Sequence, residues 1–100
     1  MTTRPEVGAF QERLKQKFRM GLGAGNSLDL ELIEVRDLGR RRNSAGSELS
    51  CYALVFRAPT RSAAPQASYR LEHDTLGALE LFLVPIGPDA VGMRYEAIFN

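Results

Sequence analysis

The chain has 100 residues, which suits one domain able to bury a core without disulfides or a structural metal. Hydrophobic residues make up 44%, and 13 basic side chains stand against 12 acidic ones. That near balance speaks against nucleic acid as the main partner, since phosphate binding draws on a basic excess, and no apolar run approaches the roughly 20 residues of a membrane-spanning helix.

Thr3-Arg4-Pro5-Glu6 has the form of a helix start. Thr3 can cap, Glu6 occupies the capping-box position and Pro5 is tolerated in the first turn. Val7, Phe10 and Leu14 then recur at helical spacing, with Gln11, Glu12, Arg13, Lys15 and Gln16 between them. The pattern predicts one amphipathic helix over about 4–16 whose apolar stripe packs on the core.

From Lys17 the period changes to two, as Phe18 and Met20 alternate with Arg19. Gly21, Gly23, Gly25 and Asn26 predict a turn, and Ser27 to Asp37 a strand. Within that strand the phase slips: Leu28, Leu30 and Leu32 lie on one face, and Ile33 and Val35 on the other. A slip by one residue predicts a β-bulge near Leu32 or Ile33. Leu38 to Glu48, with Gly39, Asn43, Ser44 and Gly46, is expected to be a loop carrying Arg40, Arg41 and Arg42 at its tip.

Leu49 to Arg57 is predicted as a central strand, because both of its faces are apolar: Tyr52, Leu54 and Phe56 against Cys51, Ala53 and Val55. After a loop over 58–67, Ser68–His73, Ala78–Ile86 and Val91–Phe99 are expected to be three further strands. Short connections favour antiparallel neighbours. The fold class is therefore mainly β (α+β): a six-stranded antiparallel barrel or sandwich with one N-terminal helix. Residues 1–100 form a single domain, with the helix at about 4–16 and the β domain at about 17–100. The core is expected from Phe18, Leu30, Leu32, Tyr52, Leu54, Phe56, Leu71, Leu81, Leu83, Tyr95 and Phe99.

Little here supports catalysis. The lone histidine, His73, lies between Glu72 and Asp74, and strand neighbours point to opposite faces, so both acids cannot orient the imidazole. A satisfied or solvated histidine is the expectation. The lone cysteine, Cys51, has small neighbours on its face and is expected to be a core thiol; it allows no intrachain disulfide, which suits a reducing compartment. One His and one Cys make no zinc spacing, and no serine sits in a nucleophile elbow. Gly21-Leu22-Gly23-Ala24-Gly25-Asn26 fails as a phosphate loop, having Asn at its last position and a strand after it. No enzyme activity, cofactor or metal is expected. The opening residues lack the apolar segment of a signal peptide, so a cytoplasmic location is expected.

Two surfaces are candidates for binding. Val55, Phe82, Val84 and Ile86 fall on the second apolar faces of two strands, and one short helix cannot cover both. The last strand, ending at Phe99-Asn100, is expected to leave an edge open to strand addition. Arg40, Arg41 and Arg42 are the candidate contact for a phosphate or an acidic surface.

Leu54-Val55-Phe56-Arg57-Ala58-Pro59, Tyr69-Arg70-Leu71-Glu72-His73, Leu76-Gly77, Leu81-Phe82-Leu83-Val84-Pro85-Ile86-Gly87-Pro88 and Gly92-Met93-Arg94-Tyr95-Glu96-Ala97-Ile98-Phe99-Asn100 together form a pattern. It resembles a family of small bacterial proteins of unknown function and similar length, often encoded beside proteins with a phage tail-collar domain. The resemblance implies a part in a tail-like or fibre assembly, with a tail-collar-type protein as partner, and implies no catalytic residues. The function expected is a non-enzymatic structural or protein-interaction module, with self-association as a homodimer as one way to cover the exposed face. A small-ligand carrier using a barrel interior is the alternative, disfavoured by bulky inward residues on every strand.

Overall fold

A computed structural model describes residues 5–100. One helix, α1 (Val7–Gln11), precedes six strands: β1 (Lys17–Gly23), β2 (Asn26–Arg42), β3 (Glu48–Arg57), β4 (Ala67–His73), β5 (Gly77–Pro88) and β6 (Met93–Phe99). All neighbouring strands are antiparallel, in the order β1-β2-β3-β6-β5-β4. The sheet closes on itself where β4 returns to β1, through Arg19↔Glu72 and Met20↔Leu71. The mainly β, six-stranded antiparallel class predicted from alternation is the class observed.

The alternation works as expected because one face of each strand fills the ring. Phe18, Met20, Leu30, Leu32, Tyr52, Leu54, Phe56, Leu71, Leu83 and Tyr95 are all fully buried, and Leu81 nearly so. Phe99 is half-buried against them. At one end Phe10 of α1 enters an aromatic cluster, 5.6 Å from Tyr52, 6.3 Å from Phe18 and 6.4 Å from Phe99 between ring centroids. The Tyr52 hydroxyl donates to the Pro5 carbonyl at 2.5 Å, so the helix is tied to the ring by a polar contact as well as by packing.

The β1–β2 connection is a two-residue hairpin. Gly23 pairs with Asn26, and Ala24 and Gly25 both have positive φ, 53° and 78°. A turn of that hand matches the right-handed twist of the flanking strands. The predicted bulge is present, as a register shift between Leu32 and Glu34.

Several expectations need correcting. The helix ends at Gln11, well short of 16. Its end is set by the sheet: the Lys15 amide donates to the Leu32 carbonyl and the Leu32 amide to the Gln16 carbonyl, which holds residues 15 and 16 alongside β2. Leu14 is consequently exposed. The proposed Thr3 cap lies outside the described residues, and Glu6, at the N-cap, makes no capping bond.

The second strand does not stop at Asp37. It continues to Arg42, through a second register shift between Asp37 and Arg40. There Gly39 takes a φ of 92° and donates its amide to the Asp37 carboxylate at 2.8 Å. A glycine that reads as a loop residue is thus the pivot of a bulge inside a strand. The true loop is Asn43–Ser47, whose Asn43 side chain accepts the amides of Ala45 and Ser47.

Candidate functional site

The outward side of the sheet is organised in cross-strand rows. One row runs Val84, Glu96, Val55, Glu34 across β5, β6, β3 and β2; the next runs Ile98, Ala53, Arg36 across β6, β3 and β2. Directly paired residues project to the same side, so each small β3 residue lies between longer neighbours. The Arg36 guanidinium donates to Glu34 at 3.2 Å on one side and to Glu96 at 3.3 Å on the other. That chain of charge spans the outer face of β3. Side chains of this length cover apolar surface with their stems while their heads stay in water.

The consequence is a correction at Val55, one of the candidate surface residues: it is only 4% exposed. No second layer was needed to bury it, because β3 is central and its outward residues are small enough to be roofed by β2 and β6. The other candidates remain at the surface. Phe82 is 53% exposed, Ile86 is exposed and Val84 is half-buried. Ile98 joins them, 55% exposed, two residues beyond Glu96 on the same outward side. Its signal was present in the alternation of β6, whose inward set Met93, Tyr95 and Ala97 leaves Ile98 outward. The expected open edge at Phe99 is also corrected, since β6 is flanked by β3 and β5 in the closed sheet.

The three consecutive arginines do not form a loop tip. They lie on β2 opposite Ser50, Leu49 and Glu48. Arg40 bonds Glu6 at 3.2 Å and approaches Glu48 at 3.4 Å, and the Glu6 carboxylate also accepts from the Ser50 hydroxyl at 2.7 Å. The Glu6 carboxylate raises the Arg40 guanidinium further above its ordinary range by hydrogen bonding and charge. Arg41 donates to the Asn100 carbonyl at 3.0 Å. Strand alternation separates Arg41 from Arg40 and Arg42, so the run is not one convergent anion site.

His73 sits at the end of β4, buried, with its ring 4.6 Å from that of Phe18. Its Nδ1 accepts the backbone amides of Thr75 at 3.1 Å and Leu76 at 3.2 Å. Nδ1 must therefore be unprotonated, which places the proton on Nε2, and Nε2 donates to the Gln16 amide oxygen at 2.6 Å. The imidazole closes the β4–β5 turn as a neutral group. Burial, and then the nearby Arg13 charge, push its pKa below 6.5, against the smaller opposing pull of Asp74. At the opposite connection Asp89 caps the β5–β6 turn. Its carboxylate accepts the amides of Val91 and Gly92 and pairs with Arg57 at 2.6 Å. The Arg57 hydrogen bond, with those amides, holds the Asp89 carboxyl well below the usual carboxylate range.

A family model for a domain of unknown function, DUF6916, matches residues 5–99. The chain belongs to this family. No curated protein and no solved structure matches it. The DUF6916 match takes in α1 and all six strands, so the closed sheet, its helix and both capped turns lie within the family domain. Among the described residues of this domain no group of three or more His, Cys, Asp or Glu side chains is arranged to hold a metal. Cys51 is buried on the outer side of β3, and among the described residues no helix is long and apolar enough to cross a membrane.

Proposed function

We propose that this DUF6916 domain is a non-enzymatic structural module that docks another protein through the outer face of β5 and β6. The observation carrying this is the exposure of Phe82 and Ile98, 53% and 55%, on a domain whose own interior is otherwise closed. Large apolar groups left in water favour covering by a partner, and aromatic side chains are enriched at the centre of such contacts. The resemblance to proteins encoded beside tail-collar-domain proteins supports a partner of that type, in a tail-like or fibre assembly. A second copy of the chain, packed about a two-fold axis, is the competing occupant.

A ligand carrier is less well supported. The ring is filled by Tyr52, Tyr95, Phe18, Phe56 and their aliphatic neighbours, all fully buried, where a carrier of this architecture needs an interior cavity.

Light scattering tests the proposal, on wild type and Phe82→Asp, alone and mixed with the tail-collar-domain protein encoded nearest the gene. A complex or dimer formed by wild type and lost in a folded Phe82→Asp variant is the expected result. A wild-type chain that stays monomeric and does not associate with the tail-collar protein at tens of micromolar overturns it.

A further inference from the structure

The positive charges of this chain are unequally committed. Every described arginine except Arg42 is held by a carboxylate or a backbone carbonyl. The chain has only two lysines, Lys15 and Lys17. Among the described residues neither ammonium has an ion-pair or hydrogen-bond partner, and both line the same open cleft, with Gln16, His73, Asp74 and Thr75 completing its wall. The cleft measures about 480 Å³, room for a small polar ligand.

Its donors are arranged by the His73 network. Because Nδ1 of His73 accepts two backbone amides, Nε2 must donate, and Gln16 must present its amide oxygen to the imidazole. The Gln16 amide nitrogen is thereby turned away from the ring, with its two hydrogens to offer. Two ammonium groups and that amide stand against a single carboxylate, Asp74; the Thr75 hydroxyl is already committed, donating to His73 Nδ1 at 3.3 Å. Glu31 lies opposite Lys17 in the β1–β2 register but is paired with Arg57 at 3.7 Å. Arg13, bonded to the Thr75 hydroxyl at 3.1 Å behind the wall, is itself paired with Glu12 at 3.6 Å, so the two lysines are the uncommitted cations of the cleft.

Lys15 also holds a backbone conformation that lysine does not favour, with φ at 74°. Glycine occupies that region without a Cβ penalty. A long cationic side chain at a left-handed position beside a polar cleft is the kind of local cost that functional sites retain.

We infer that this cleft binds a small oxyanion of the phosphate class, gripped by Lys15 and Lys17, with the Gln16 amide as a third donor. The inference is independent of docking through Phe82, which lies on a different strand, and either can fail without the other.

The test is a titration of the full chain with inorganic phosphate at constant ionic strength, followed by amide shifts in two-dimensional NMR. Saturable shifts confined to residues 15–17 and 73–76 are expected. Lys15→Ala combined with Lys17→Ala should weaken binding about tenfold or more, and Asp74→Asn should tighten it severalfold. Arg42→Ala removes a charge elsewhere and should leave binding unchanged. Lys15→Gly should weaken binding while raising the melting temperature, which separates loss of the ammonium from loss of the fold. Shifts that never saturate, or an affinity that falls as much in Arg42→Ala as in the lysine variants, overturn the inference.

Discussion

A Cβ added at Gly92 would stand 1.8 Å from the carbonyl oxygen of Ala58. That oxygen is backbone, and it cannot swing aside. The Ala58 amide donates to the Met93 carbonyl and the Met93 amide to the Thr60 carbonyl, each at 2.8 Å, so the chain after β3 is laced to the start of β6. The contact depends on the absence of a side chain, not on a special φ.

Gly92→Ala is therefore expected to be among the most damaging single changes in the domain, costing about 3 kcal/mol or more through forced displacement of laced backbone. Gly8→Ala is the control. A Cβ there meets nothing within 4 Å and α1 should gain from it. Thermal melts of the two variants should move in opposite directions.

Phe56 and Phe82 are both strand phenylalanines, but one is fully buried and the other 53% exposed. Phe56→Ala should cost about 3–5 kcal/mol by opening a cavity in the ring. Phe82→Ala should stay within about 1 kcal/mol, since much of its surface is already hydrated. Urea unfolding measured on both variants checks the contrast.

Stability should fall on mild acidification because of His73. Its folded pKa is lowered below the ordinary 6.5, so the folded state binds a proton less readily than the unfolded chain. The contribution is fully present above about 6.5 and is lost as pH falls through the folded value. Protonated Nδ1 can no longer accept the Thr75 and Leu76 amides. His73→Asn keeps an acceptor at the turn and removes the titration. Denaturation midpoints at pH 7.5 and 5.5 should differ in wild type and converge in the variant.

Lys15→Gly should stabilise the domain by about 1 kcal/mol, because it relieves a left-handed φ of 74° in a residue carrying a Cβ. Part of that relief is offset by the greater freedom of glycine in the unfolded chain. Differential scanning calorimetry against wild type is the measurement.

Alternation of apolar and polar residues was enough to read the six strands, the bulge after Leu32 and almost the whole core, because each strand has one face in a packed interior and the side-chain period of two records it.

The surface was decided elsewhere. Whether Val55 faces water depends on Glu34, Arg36 and Glu96 arriving from two other strands, and nothing local to β3 records that. The fate of Arg40 depends on Glu6 and Ser50, and the end of α1 on Leu32, seventeen residues beyond Lys15 in the chain. Closure of the sheet rests on two residue pairs between β1 and β4. The His73 tautomer and the uncommitted pair Lys15 and Lys17 likewise follow from which turns the closed ring brings together. Local pattern determines what a strand presents on each face; only pairing across the ring decides what that face meets.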